Sequence, residues 1–156
     1  MVTSTPNARE MFRDGINARN AAISTFYITL QQGYVTRTQL DQKSPDVPVG
    51  KVMDAFFAVI ETNKVIGDAV DAARDDVREL RSKIRSEASP SEEALRALRR
   101  AEHIADAYHQ VMELTWRDII GQQMTRAFND VYPFRNPMGN GGTGPFGADS
   151  GNNRSC

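Results

Sequence analysis

The chain has 156 residues, 40% of them apolar and 25% charged, and a formal charge of -1. That length and apolar content fit one domain able to bury a core without metals or disulfides. Near-neutrality excludes a protein-wide basic field, so any contact with a polyanion must come from a local cluster or from many copies acting together. The single cysteine, Cys156, ends a polar tail and can neither close an intrachain disulfide nor complete a thiolate metal site.

The opening "MVTSTPNAREMFRDG" has no apolar core of signal-peptide length, and no later stretch reaches the ~18 uninterrupted apolar residues of a membrane span. The expectation is a soluble protein of a reducing compartment, with no membrane partner. From about Ala8 to Gln32, Phe12, Ile16, Ile23, Phe26, Tyr27 and Leu30 recur at helical spacing, with Gly15 as a place for a kink. Asn7 and Glu10 form the expected N-terminal cap of that helix. Gly33 to Gly50, "GYVTRTQLDQKSPDVPVG", is punctuated by two prolines and two glycines and is expected to be a connector, with room for a short helix or strand.

A long helix is expected from about Pro48 to Glu87, where Val59, Asn63, Ile66, Val70, Ala73, Val77, Leu80 and Ile84 alternate in steps of three and four. Such a seam packs on another helix. Ser89, Pro90 and Glu92 then supply a cap, a proline at the first helical position and a reciprocal glutamate. The next helix continues the alternation through Ala94, Leu98, Ala101, Ala105, Tyr108, Met112, Thr115 and Ile119, widened by Ile104, Val111, Leu114 and Trp116. Two long seams joined by a tight turn predict an antiparallel hairpin. The pattern weakens after Gly121, resumes in "QQMTRAFNDVY" and stops at Pro133. The remainder is glycine-rich and is expected to be an exposed, mobile tail.

No period of 20 to 50 residues recurs, so a solenoid is not expected. The fold class expected is all-α: an antiparallel bundle of about four helices over residues 1–135, with a flexible glycine-rich tail over 136–156.

Chemistry is harder to find. A di-iron bundle needs two Glu-x-x-His pairs, and neither His103 nor His109 completes one. His109 follows Asp106 by three residues, which on a polar helix face reads as a solvated pair. Phosphate loops, nucleophile elbows and a cysteine near a histidine are all missing from the sequence. No catalytic residue, metal ligand or cofactor is expected, and the chain is not read as an enzyme.

What remains is charge at the hairpin turn: Arg78, Arg81, Lys83 and Arg85 on the way in, Arg96, Arg99 and Arg100 on the way out, with Glu79, Glu87, Glu92 and Glu93 between them. Two explanations stand. One is a solvated tip laced with i,i+4 ion pairs such as Glu92 to Arg96. The other notes that arginines in the first turns of a helix lie close to its positive end, a placement that an incoming anion such as phosphate would favour.

The segment "SPSEEALRALRRAEHIADAYH" resembles the coat proteins of rod-shaped plant RNA viruses, the tobacco mosaic virus type. It has a small polar residue, proline, hydroxyl residue and glutamate, then Leu95, Ala97, the pair Arg99 and Arg100, and Glu102. "ADAYHQVMEL" resembles the aromatic-plus-basic step of the tobravirus branch. "RAFNDVYPF" resembles the segment that ends the folded part, and "VMDAFFAVIETNKVI" is similar in pattern to the family's first long helix. Together these span roughly residues 50 to 134, whereas residues 1 to 49 match only in being helical. Asn129 stands where the family usually has glutamate, His109 where the tobamovirus branch has arginine, and the aromatic-rich start is missing.

The resemblance implies a four-helix coat subunit that stacks laterally and axially into a helical rod around single-stranded RNA, with many copies of itself as partners. Its place would be the virion, after the host cytoplasm. By the same resemblance Arg99 and Arg100, helped by Arg96, neutralise phosphates, with His109 nearby. Repetition along a helical array would turn modest local charge into a continuous basic groove. Glu92, Glu93 and Glu102 would be assembly carboxylates, whose pKa values rise when like charges meet across subunit contacts. Phe12, Phe56, Phe57, Trp116 and Phe128 would serve lateral contacts as well as the core. The alternative is a helical-bundle oligomerisation or scaffolding protein with no RNA role.

Overall fold

A computed structural model describes residues 7–39 and 49–132, the side chains of 34–39 excepted. Among the described residues all regular structure is helical. It comprises α1 (Ala8–Gln39), α2 (Val49–Arg85), α3 (Glu92–Leu114), a π-helical segment (Thr115–Met124) and α4 (Thr125–Val131). The expected tail, Cys156 and residues 40–48 of the connector lie outside the described residues.

α1 begins as the sequence predicts. The Asn7 N–H donates to Glu10 Oε1 at 3.2 Å, and the Glu10 N–H donates to Asn7 Oδ1 at 2.8 Å, a reciprocal cap. The helix runs on through Gly15 and past Gln32 to Gln39. Both glycines along it are close-approach sites: a Cβ on Gly15 would lie 2.9 Å from Ile66 Cγ1, and one on Gly33 would run into the Tyr132 hydroxyl.

α2 ends in tightened turns, with the Ser86 N–H donating to both Ser82 and Lys83 carbonyls at 3.2 Å. Lys83 and Arg85 lie in its last turn, where they complement the helix dipole. The start of α3 corrects the sequence expectation. The cap is Ser91, whose Oγ accepts the Ala94 N–H at 3.0 Å, not Ser89. Pro90 therefore precedes the cap, and Glu92 and Glu93 act on the dipole from the first turn instead of bonding back to the cap.

The expected separate fourth helix is also corrected: residues 92–131 are helical without a break, so the described residues hold three continuous helical runs. The weakening near Gly121 marks a change of winding. Thr125 Oγ1 donates to the Ile120 carbonyl five residues back, at 2.8 Å, near the end of the π-helical segment.

The described residues form two compact units, 7–18 with 62–113 and 19–39 with 49–61 and 114–132. In the first, Ala8, Ala73, Val77 and Ala105 are buried, with Leu98, Ala101 and Tyr108 packed against them. Small residues let the α2 and α3 backbones of this unit approach closely. Tyr108 stacks on Phe12 with ring centroids 3.9 Å apart. The second unit is built on rings: Phe26, Phe56 and Phe128 are fully buried, with Ile120, Met124 and Tyr132 around them. Phe56 and Phe128 are therefore closed to lateral contacts, Trp116 packs partly buried on the same core, and Phe57 alone of the five aromatics is classed as exposed.

Candidate nucleic-acid interface

The first unit places the arginines by helical phase. α3 turns Leu98, Ala101, Ala105 and Tyr108 inward, so positions 96, 99, 100, 103 and 107, three and four apart, share the opposite side. There Arg96, Arg99, Arg100, His103, Ile104 and Ala107 line one open groove, every wall of it from α3. Three guanidinium groups and an imidazole thus flank a short apolar strip. Guanidinium forks bind phosphate bidentately, and an apolar strip beside them suits the face of a base.

Pairing separates Arg99 and Arg100 from Arg78 and Arg81 but not from Lys83 and Arg85, whose side chains likewise have no ion pair or hydrogen bond among the described residues. Arg78 pairs with Asp75, and Arg81 with Glu102 at 2.8 Å. Arg96 is 3.9 Å from Glu92, both side chains well exposed, which is a weak pair. Arg99, Arg100 and His103 have no ion pair or hydrogen bond among the described residues. The ion-pair-laced tip therefore accounts for Arg78, Arg81 and Arg96, and leaves Lys83, Arg85, Arg99 and Arg100 without a side-chain partner among the described residues. A second groove, between α2 and α3 of the same unit, sets Arg74, Arg78 and Arg81 against Glu102 and Asp106 over Val77 and Ala105. Its walls largely neutralise one another, so it suits an anion less well.

His109 does not join the arginines. It follows Arg100 by nine residues, about two and a half turns, which puts it on the far side of α3. Its Nε2 lies 3.8 Å from Glu113 Oε2, and its Nδ1 is buried without a partner. Sequence reasoning missed His103, Ile104 and Ala107 as groove residues. The signal was available: they continue the Arg96, Arg99 and Arg100 face by one further turn.

Of the three carboxylates that the resemblance would assign to assembly, Glu92 and Glu93 stand exposed in the first turn of α3. Glu102 is held inside its own subunit by Arg81. Among the described residues no group of three His, Cys, Asp or Glu side chains is placed to hold a metal ion, and no helix is long and apolar enough to cross a membrane. No family model, no curated protein and no solved structure matches the chain.

Proposed function

We propose that this chain is a structural RNA-coating subunit, of the kind that assembles into helical rods, and that it holds single-stranded RNA through Arg96, Arg99 and Arg100. The observation that carries this reading is that Arg99 and Arg100, beside Arg96 in one open groove, have no ion pair or hydrogen bond among the described residues. Adjacent guanidinium groups repel each other and gain by meeting a shared polyanion. Three cations per subunit hold RNA weakly, but copies in a helical array present them at every few nucleotides, and each neutralised phosphate releases counterions. A formal charge of -1 per subunit keeps repulsion between copies small.

In this reading the subunit is an all-helical coat protein. Glu92 and Glu93 are the carboxylates that meet like charges on neighbouring copies, Phe57 contributes to lateral contacts, and the virion is the site of action. His109 stays outside the RNA-contacting set.

The test is the double substitution Arg99→Ala with Arg100→Ala. Both positions are exposed, so helix content and unfolding midpoint should barely move. Nuclease protection of RNA should be lost, and the slope of log affinity against log salt should fall by about 1.4, two contacts at about 0.7 each for single strands. Unchanged protection would refute the role given to the pair. Finite oligomers indifferent to RNA in the unsubstituted protein would instead favour the scaffolding alternative.

A further inference from the structure

We infer that His103 makes the grip of this groove on RNA proton-linked, as a fourth cation present only when its imidazole is charged. This inference rests on the proposed RNA-binding reading and adds a regulation of the same site. It is carried by placement: His103 lines the groove with Arg96, Arg99 and Arg100, is exposed, and has no ion pair or hydrogen bond among the described residues.

His103 follows Arg99 by four residues and Arg100 by three, so its ring continues their row one turn further along α3. A phosphate chain following that row passes from the guanidinium groups to the imidazole. Histidine is the side chain whose ordinary charge change falls between about pH 5 and 8. As imidazolium it adds one phosphate contact, and as imidazole it adds none.

Every side chain lining the groove comes from α3, so the charged groups facing His103 belong to that helix. Three are the arginines, which stay charged throughout this range. The nearest carboxylates are engaged elsewhere: Glu102 accepts from Arg81 at 2.8 Å, and Asp106 accepts from Gln110 Nε2 at 3.3 Å. Among the described residues no carboxylate pairs with His103, so its side of the groove is open to an incoming phosphate. By linkage, a proton that strengthens RNA binding is one that RNA binding takes up. RNA affinity should rise as pH falls, and binding near neutrality should draw protons from the buffer.

The experiment uses the full chain and oligouridylate, whose bases and phosphates do not titrate between about pH 5.5 and about pH 8. Affinity is measured against salt at both pH values, and proton uptake by calorimetry in buffers of different ionisation heat. The unsubstituted protein should bind several-fold tighter at the lower pH, with a salt slope steeper by about 0.7. His103→Gln should show the shallower slope at both pH values and no proton uptake. His103→Arg should show the steeper slope at both. His109→Gln should behave as the unsubstituted protein.

A pH response that survives His103→Gln, or is missing from the unsubstituted protein while it still binds, overturns the inference alone. Should the Arg99→Ala, Arg100→Ala protein bind as tightly as its parent, or the parent not bind at all, the RNA-binding reading itself falls.

Discussion

Arg81 on α2 grips Glu102 on α3 at 2.8 Å, with the two side chains 49% and 40% exposed. An exposed pair of this kind contributes less than about 1 kcal/mol, but it gives Glu102 a cation within its own subunit. Glu93 has no ion pair or hydrogen bond among the described residues. In the coat reading these two glutamates should behave differently. A carboxylate forced against like charges between copies opposes their association. Glu93→Gln should therefore strengthen association at neutral pH in light scattering, and Glu102→Gln should leave it unchanged. An equal change from both would remove the distinction drawn between them.

Gly15 gives a sharper packing test. A Cβ there would meet Ile66 at 2.9 Å on Cγ1 and 3.3 Å on the backbone nitrogen, and a backbone atom cannot be turned aside. Gly15→Ala should destabilise by about 1–3 kcal/mol despite the better helix propensity of alanine. At Gly50 an added Cβ meets nothing within 4 Å. Gly50→Ala should instead stabilise by about 0.4–1 kcal/mol. Urea denaturation of the two variants compares local space with propensity alone.

The π-helical segment explains why the end of the third helical run was hard to read. An α-helix turns once in about 3.6 residues, so a four-residue step overshoots a full turn. A π-helix bonds five residues back and turns less per residue, so the same step undershoots. Joined end to end, the two windings keep Ile120, Met124, Phe128 and Tyr132, each four apart, buried in one core. A period of 3.6 carried past Thr115 selects Ile119, one residue out of phase. Ile120→Ala should therefore cost about 2–5 kcal/mol, and Ile119→Ala, at a partly buried position, clearly less. Equal costs would show that the slip in phase does not set the packing.

Elsewhere the pattern was legible where one physical cause acted alone. The α2 seam from Val59 to Val77 is buried at every position expected, because an uninterrupted α-helix keeps a single period. The Asn7 and Glu10 cap was legible for the same reason. The α3 cap was displaced because "SPSEE" offers two serines, and the local code does not choose between them. In the candidate site, Arg96, Arg99 and Arg100 were visible as charge. His103 lies on the same helical phase as those arginines, whereas His109 enters only through the family resemblance.

Thr115 is fully buried at the first position of the π-helical segment, and its Oγ1 accepts from Arg19 Nη1 at 2.7 Å. Burial holds the Arg19 guanidinium below its ordinary pKa, a sign that it is partly stripped of water. Thr115→Val keeps the shape and removes the acceptor. Arg19 retains Asn20 Oδ1 at 3.0 Å, so the loss should fall near the lower end of about 1–3 kcal/mol. Thr115→Ser should recover much of it. Thermal unfolding of both variants checks whether the hydroxyl or the methyl group matters, and a fully stable valine variant would assign the site to packing.

In the coat reading, Phe57 offers a test that separates assembly from RNA contact. It is 39% exposed, and its ring meets Phe56 edge-on with centroids 5.9 Å apart, so the inner ring is held in the core while the outer one faces away. An exposed aromatic beside a rigid core suits a contact between copies, since its burial there costs little ordering entropy. Phe57→Asp should cost little stability in the isolated subunit but place a charge in any such contact, and rods should be lost in negative-stain images. Short oligouridylate should still bind with the same salt slope, because Arg99 and Arg100 are untouched. The Arg99→Ala, Arg100→Ala protein should show the reverse: loss of oligonucleotide binding, with association of the protein alone preserved. If Phe57→Asp leaves the rods intact, lateral assembly runs through another surface.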